Sequence, residues 1–157
     1  MEPLKNMLKC NPKKAEILHF TSRFNRQASV YETLSLANNP VKVETKAKNL
    51  GVIFDKTLSF AEHVNEICKK TRCTIRSIVR VRKYLSFDGL NTLVNSFVIS
   101  RLDYWNQLLY DIPKYQRDKL QRIQNTAARM ITGAHNSDHI TLILKGLQWL
   151  PVGLRIN

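Results

Sequence analysis

Apolar residues in the first third of the chain form short runs divided by turn residues, whereas from Ser59 onward they recur at helical spacing. Glu16–Phe20, which follows an Asn11-Pro12 turn, reads as a short strand. Thr33–Leu36 alternates weakly, and Asn38-Asn39-Pro40 turns the chain into a strand at Val41–Val43. Asn49–Asp55 is the strongest strand by pattern, with Gly51 placed where another backbone approaches or at a bulge. The polar stretch Arg23–Ser29 reads as a loop.

The helical part opens with Ser59 and, three residues on, Glu62, the spacing of a capping box. Phe60, Val64, Ile67, Cys68, Ile75, Ile78 and Val79 then fall on one face at ~100° per residue. A second helix is predicted from Ser86, burying Leu90, Leu93, Val94, Phe97, Val98, Leu102, Trp105, Leu108 and Leu109. A third follows Pro113, packs through Leu120, Ile123, Ala127 and Ile131, and stops at Gly133. A shorter one is expected over Thr141–Gln148, and Pro151 stands where a further helix begins. The expected fold class is therefore α+β. Residues 1–58 carry the strands, and residues 59–157 form a helical bundle expected to be truncated at its C-terminal end.

Composition adds a partner to this outline. The 157 residues carry 25 Lys and Arg against 12 Asp and Glu, a net +13 spread along the whole chain rather than gathered in a tail. Such an excess attracts polyanions, nucleic acid first and anionic membrane second. No apolar run has the ~18 residues that a membrane-spanning helix needs, and no apolar segment follows Met1 as a signal peptide requires. Cys10, Cys68 and Cys73 include no Cys-x-x-Cys pair and read as reduced thiols, so a cytoplasmic or nuclear, non-secreted protein without membrane partners is expected.

Lys69, Arg72, Arg76, Arg80 and Lys83 make one stripe on the first long helix, bordering its apolar face, and no acidic residue stands between Ile67 and Phe87. Five cations at these spacings follow ~21 Å of helix, a geometry for tracking a phosphate backbone. A charged stripe is also what a solvated helix face looks like. Arg101 falls on the apolar stripe of its helix and calls for a partner, either Asp103 or a neighbouring helix. His135 and His139 lie four apart but flank a turn, with no cysteine nearby, so no metal site is assigned.

Three stretches together resemble the jockey-like non-LTR (LINE-type) retrotransposon reverse transcriptases. They are Leu8-Lys-Cys-Asn-Pro-Lys-Lys-Ala-Glu-Ile-Leu-His-Phe20, Lys48-Asn-Leu-Gly-Val-Ile-Phe-Asp55 and Leu120-Gln-Arg-Ile-Gln-Asn-Thr-Ala-Ala-Arg-Met-Ile-Thr-Gly133. Ser100-Arg-Leu-Asp-Tyr104 and Trp149-Leu-Pro-Val152 extend the likeness to almost the whole chain. It implies the edge of a polymerase palm followed by a helical thumb that grips a template–primer duplex, either RNA–DNA or DNA. By the same resemblance Lys14 matches the motif D lysine, which acts on the phosphates of the incoming nucleotide. Leu50, Gly51 and Val52 match the primer grip, a hairpin whose backbone holds the primer end. The chain departs from the family at Ala15, Gly89, Trp105 and Leu142.

The family's magnesium pair sits on palm aspartates that include an adjacent pair. The six aspartates here include no adjacent two, so no cofactor is expected in this chain and the polypeptide alone is expected to be inactive. The palm hairpin and fingers of an intact enzyme would lie upstream. Two other readings use the same residues: a domesticated, non-enzymatic nucleic-acid-binding module, and a helical protein-interaction module.

Overall fold

The run Asn49–Asp55, expected as one strand, is instead the second half of a hairpin. The computed structural model describes residues 15–22, 33–36, 39–104 and 106–156, and the chain divides into two compact units, 1–59 and 60–157. In the first unit β4 (Lys46–Asn49) and β5 (Val52–Asp55) pair antiparallel, with Asn49 opposite Val52 and Lys46 opposite Asp55. Only Leu50 and Gly51 connect them, at φ 47° and 86°. Positive φ at both central residues is the signature of a type I′ turn, whose twist matches that of its strands. Glycine takes this conformation freely, while Leu50 does so at a cost of about 1–2 kcal/mol. The apolar Leu50 disguised the turn as strand.

A second sheet has the order β1-β3-β2. Here β1 (Ile17–Leu18) runs parallel to β3 (Asn39–Glu44), and β2 (Thr33–Leu36) lies antiparallel on its other side. The Glu16–Phe20 strand is thus shorter than its apolar run, and the Val41–Val43 strand is longer than expected. Val41 and Val52 are buried among the described residues, while Phe20 and Leu34 remain exposed.

The hairpin ends in a tight carboxylate turn. Asp55 accepts hydrogen bonds from the Thr57 and Ser59 amides (both 3.0 Å) and from their hydroxyls (2.7 and 2.9 Å). Ser59 thus donates both its amide and its hydroxyl to this carboxylate. The first helix, α1, runs Ala61–Val81 behind a left-handed Phe60 whose side chain makes no cap bond, so the N-cap position falls one residue after the expected Ser59. Partial burial of Asp55 raises its pKa, but the four donors together outweigh it and hold the carboxyl below the usual aspartate range. Its stabilisation is complete above the unfolded pKa of ~3.9 and disappears as pH falls through the lower folded value. An NMR titration is expected to show the Asp55 carboxyl and the Thr57 and Ser59 amides moving together below about pH 3.9. A midpoint at or above that value would contradict the arrangement.

The second unit is built around α4 (Lys114–Thr132), against which α1, α2 (Phe87–Val94), α5 (Ile140–Gly146) and α6 (Val152–Ile156) all pack. Its buried positions, among them Leu120, Ile123, Gln124, Ala127, Ala128 and Ile131, cover an arc of roughly 160°, wide enough for neighbours on more than one side. Pro113 stands just before the helix, and Gly133 ends it at φ 73°. Ser86 caps α2 by accepting the Gly89 amide at 3.2 Å. A Cβ on Gly89 would lie 3.3 Å from the Ser86 hydroxyl oxygen, so the glycine leaves room for a close cap.

Beyond α2 the chain winds as a π-helix over Asn95–Ile99 and then as α3 (Ser100–Asp103). The wider turn carries one more residue and shifts the helical phase of the positions after it. Val98, Ile99 and Leu102 face the core, whereas Phe97, expected to be buried, is 52% exposed. Leu109 is buried as expected, Leu108 is partly exposed, and Trp105 lies outside the described residues. Two glutamines of α4 hold the last segment. Gln124 Nε2 donates to the Leu150 carbonyl at 2.8 Å, and Gln121 Oε1 accepts the first amide of α6, from Val152, at 2.8 Å.

Candidate nucleic-acid interface

Helix α1 buries Val64, Ile67, Cys68, Thr71, Ile75 and Ile78. At ~100° per residue the cations lie roughly 80–160° round the helix from the centre of this buried face, with Arg72 next to Cys68 and Arg80 farthest away. Lys69, Arg72, Arg76 and Arg80 are all exposed. By helical phase the stripe runs beside the buried face, as expected, and Val79, the apolar residue nearest it, is 52% exposed. The length of the stripe changes. Helix α1 ends at Val81, and Lys83 belongs to the 3₁₀ turn Arg82–Tyr84, where its ammonium lies 4.8 Å from the centre of the Tyr84 ring. The four cations on α1 span ~16 Å, over which one strand of a duplex presents about five phosphates.

Several other basic residues are already engaged within the chain. Lys70 pairs with Glu66 and Lys114 with Asp118, both at 2.9 Å. Lys119 donates to Asn65 at 2.8 Å. Arg129 donates to the carbonyls of His135, Asn136 and Asp138 at 3.2–3.4 Å, fastening the loop after α4. Among the described residues, Lys69, Arg72, Arg76 and Arg80 form no ion pair with a carboxylate. Exposed cations with no internal partner keep their full charge for an external anion.

Arg82, absent from the predicted stripe, lies at the C-terminal end of α4. A Cβ at Gly133 would come within 3.1 Å of its guanidinium. There a cation meets the negative end of the helix. Arg101 donates to the Thr74 hydroxyl of α1 at 3.0 Å. Of the two partners expected, Asp103 or a neighbouring helix, the structure supplies the helix, while Asp103 pairs with Arg155 of α6 and accepts from Asn106 at 3.1 Å. Burial pushes the Cys68 thiol pKa up against the pull of Arg72 and Lys119, while Cys73 is exposed.

In the first unit Leu50 and Gly51 form the exposed hairpin tip, and Val52 beside them is 1% exposed. The three residues matched to a primer grip are thus two at a tip and one anchoring it. Lys14 lies outside the described residues. An open groove of about 480 Å³ runs between β1 and the β4–β5 hairpin, lined by Leu18, Phe20, Ala47, Lys48 and Phe54 among others. Among the described residues no three His, Cys, Asp or Glu side chains gather, and Asp55 is engaged in its turn. These residues do not fit the magnesium pair that the resemblance implies. No helix of the described residues is long and apolar enough to cross a membrane.

The arrangement defines an α+β chain whose helical unit presents an unneutralised basic row. No protein-family model and no solved structure matches it. Over 150 residues it is 28% identical to the probable RNA-directed DNA polymerase from transposon X-element of Drosophila melanogaster. That similarity covers 94% of this chain and 16% of the fly protein.

Proposed function

We propose that the chain is the palm edge and thumb of an RNA-directed DNA polymerase from a jockey-like non-LTR element, and that α1 grips the template–primer duplex by its phosphates. The observation that carries the reading is the exposed row Lys69, Arg72, Arg76 and Arg80 without carboxylate partners among the described residues. The similarity to the fly polymerase over 94% of the chain supports the family, and the tight turn at Leu50-Gly51 suits a backbone contact at the primer end. In an intact enzyme Lys14 acts on the phosphates of the incoming nucleotide, and magnesium is held by palm aspartates outside the described residues.

The test is the affinity of the chain for a blunt RNA–DNA duplex, measured by fluorescence anisotropy across a salt series. Four phosphate contacts give a slope of about −3 to −4 in log K against log salt concentration. Non-specific affinity of roughly 10⁻⁴–10⁻⁶ M is expected near physiological salt. An affinity that stays constant from about 50 to 200 mM salt would rule the phosphate grip out.

A further inference from the structure

We propose that the turn joining α1 to α2 is a stacking platform for unpaired bases at the end of a bound duplex. This rests on the phosphate-grip reading and goes beyond it, since a grip on backbone needs no aromatic rings. Tyr84 is 76% exposed and Phe87 55% exposed, two rings three residues apart at the end of the basic row. Leu85 between them is partly buried and packs on the core. Its extended backbone (φ −109°, ψ 142°), followed by the extended cap Ser86, breaks the helix between the two rings.

Exposed aromatic rings in a core-forming sequence call for a reason, because each forgoes the burial that its neighbour Leu85 obtains. Their surroundings name the ligand class. Lys83 holds its ammonium 4.8 Å from the Tyr84 ring centre, and Arg80 is exposed one helical turn before it. No carboxylate stands between Ile67 and Phe87, and Asp88, the next one, lies in the first turn of α2, where the helix dipole favours it. A flat ring beside mobile cations suits a base attached to a phosphate: the ring takes the π-face and the cation the backbone. Stacking of this kind tolerates any base, as a grip without sequence preference requires.

The test compares the full chain on a blunt RNA–DNA duplex and on the same duplex carrying a short unpaired extension with 2-aminopurine. The extended duplex is expected to bind about tenfold tighter, with 2-aminopurine fluorescence quenched on binding. Tyr84→Ala and Phe87→Ala should each remove most of that advantage and leave blunt-duplex affinity unchanged, whereas Tyr84→Phe should retain it. An unchanged far-UV circular dichroism melt confirms that the variants fold, as exposed positions allow. Equal affinity of the native chain for both duplexes, or equal weakening on both by Tyr84→Ala, overturns the proposal. Failure of the phosphate grip looks different: the blunt duplex then shows no salt slope, while persistent quenching of the extension still supports stacking.

Discussion

Replacing Arg72, Arg76 and Arg80 together by glutamate is expected to weaken duplex binding about 100- to 1,000-fold near physiological salt. Each lost phosphate contact forfeits the release of close to one counterion, worth roughly fivefold in affinity at that salt concentration, and each new carboxylate adds repulsion. The salt slope should fall by about three at the same time. All three side chains are exposed and pair with no carboxylate among the described residues, so the thermal midpoint should stay close to the native one. That contrast separates a binding surface from a structural one. Arg129 provides the control, because its guanidinium already holds three loop carbonyls. If the triple variant binds as well as the native chain, α1 is a solvated face and the grip lies elsewhere.

The second large effect concerns stability. Leu120→Ala should cost about 2–5 kcal/mol, a large share of the 5–15 kcal/mol typical of a folded domain. Leu120 is 1% exposed and sits on α4, the helix that α1, α2, α5 and α6 share. Removing its side chain opens a void that these neighbours fill only in part. Leu142→Ala makes the same chemical change at a position 71% exposed and is expected to shift stability by no more than about 0.5 kcal/mol. Urea unfolding of the two variants, followed by helical circular dichroism, gives the comparison. A Leu120→Ala cost below about 1 kcal/mol would mean that α4 is not the centre of the unit.

Parts of the candidate site were legible because they depend on local spacing. Residues 69, 72, 76 and 80 share a face in any straight helix, whatever packs beside it. The Ser86 cap and the Gly133 stop depend on a few adjacent residues and stand where the pattern puts them. Lys83 was misplaced because the helix ends at Val81, and the 3₁₀ turn changes the angle between successive side chains. The platform at Tyr84 and Phe87 could not be read at all, since an aromatic residue in sequence looks the same whether it is buried or exposed.

Sequence alone determined the α+β division, the period of α1 and α4, the surplus of positive charge and the likeness to a retrotransposon polymerase. Each of these rests on composition or on neighbours a few residues apart. Tertiary structure decided which charges are free. Arg129 and Arg101 are as basic as Arg76, but the loop after α4 and the hydroxyl of Thr74 engage them. It also decided that Phe97 turns outward, through the π-helical turn at Asn95–Ile99, and that Ser59 donates to Asp55 through both its amide and its hydroxyl. The physical reason is common to all of them. A polar or apolar side chain settles with whichever partner folding brings within reach, and several of those partners stand many residues away in the chain.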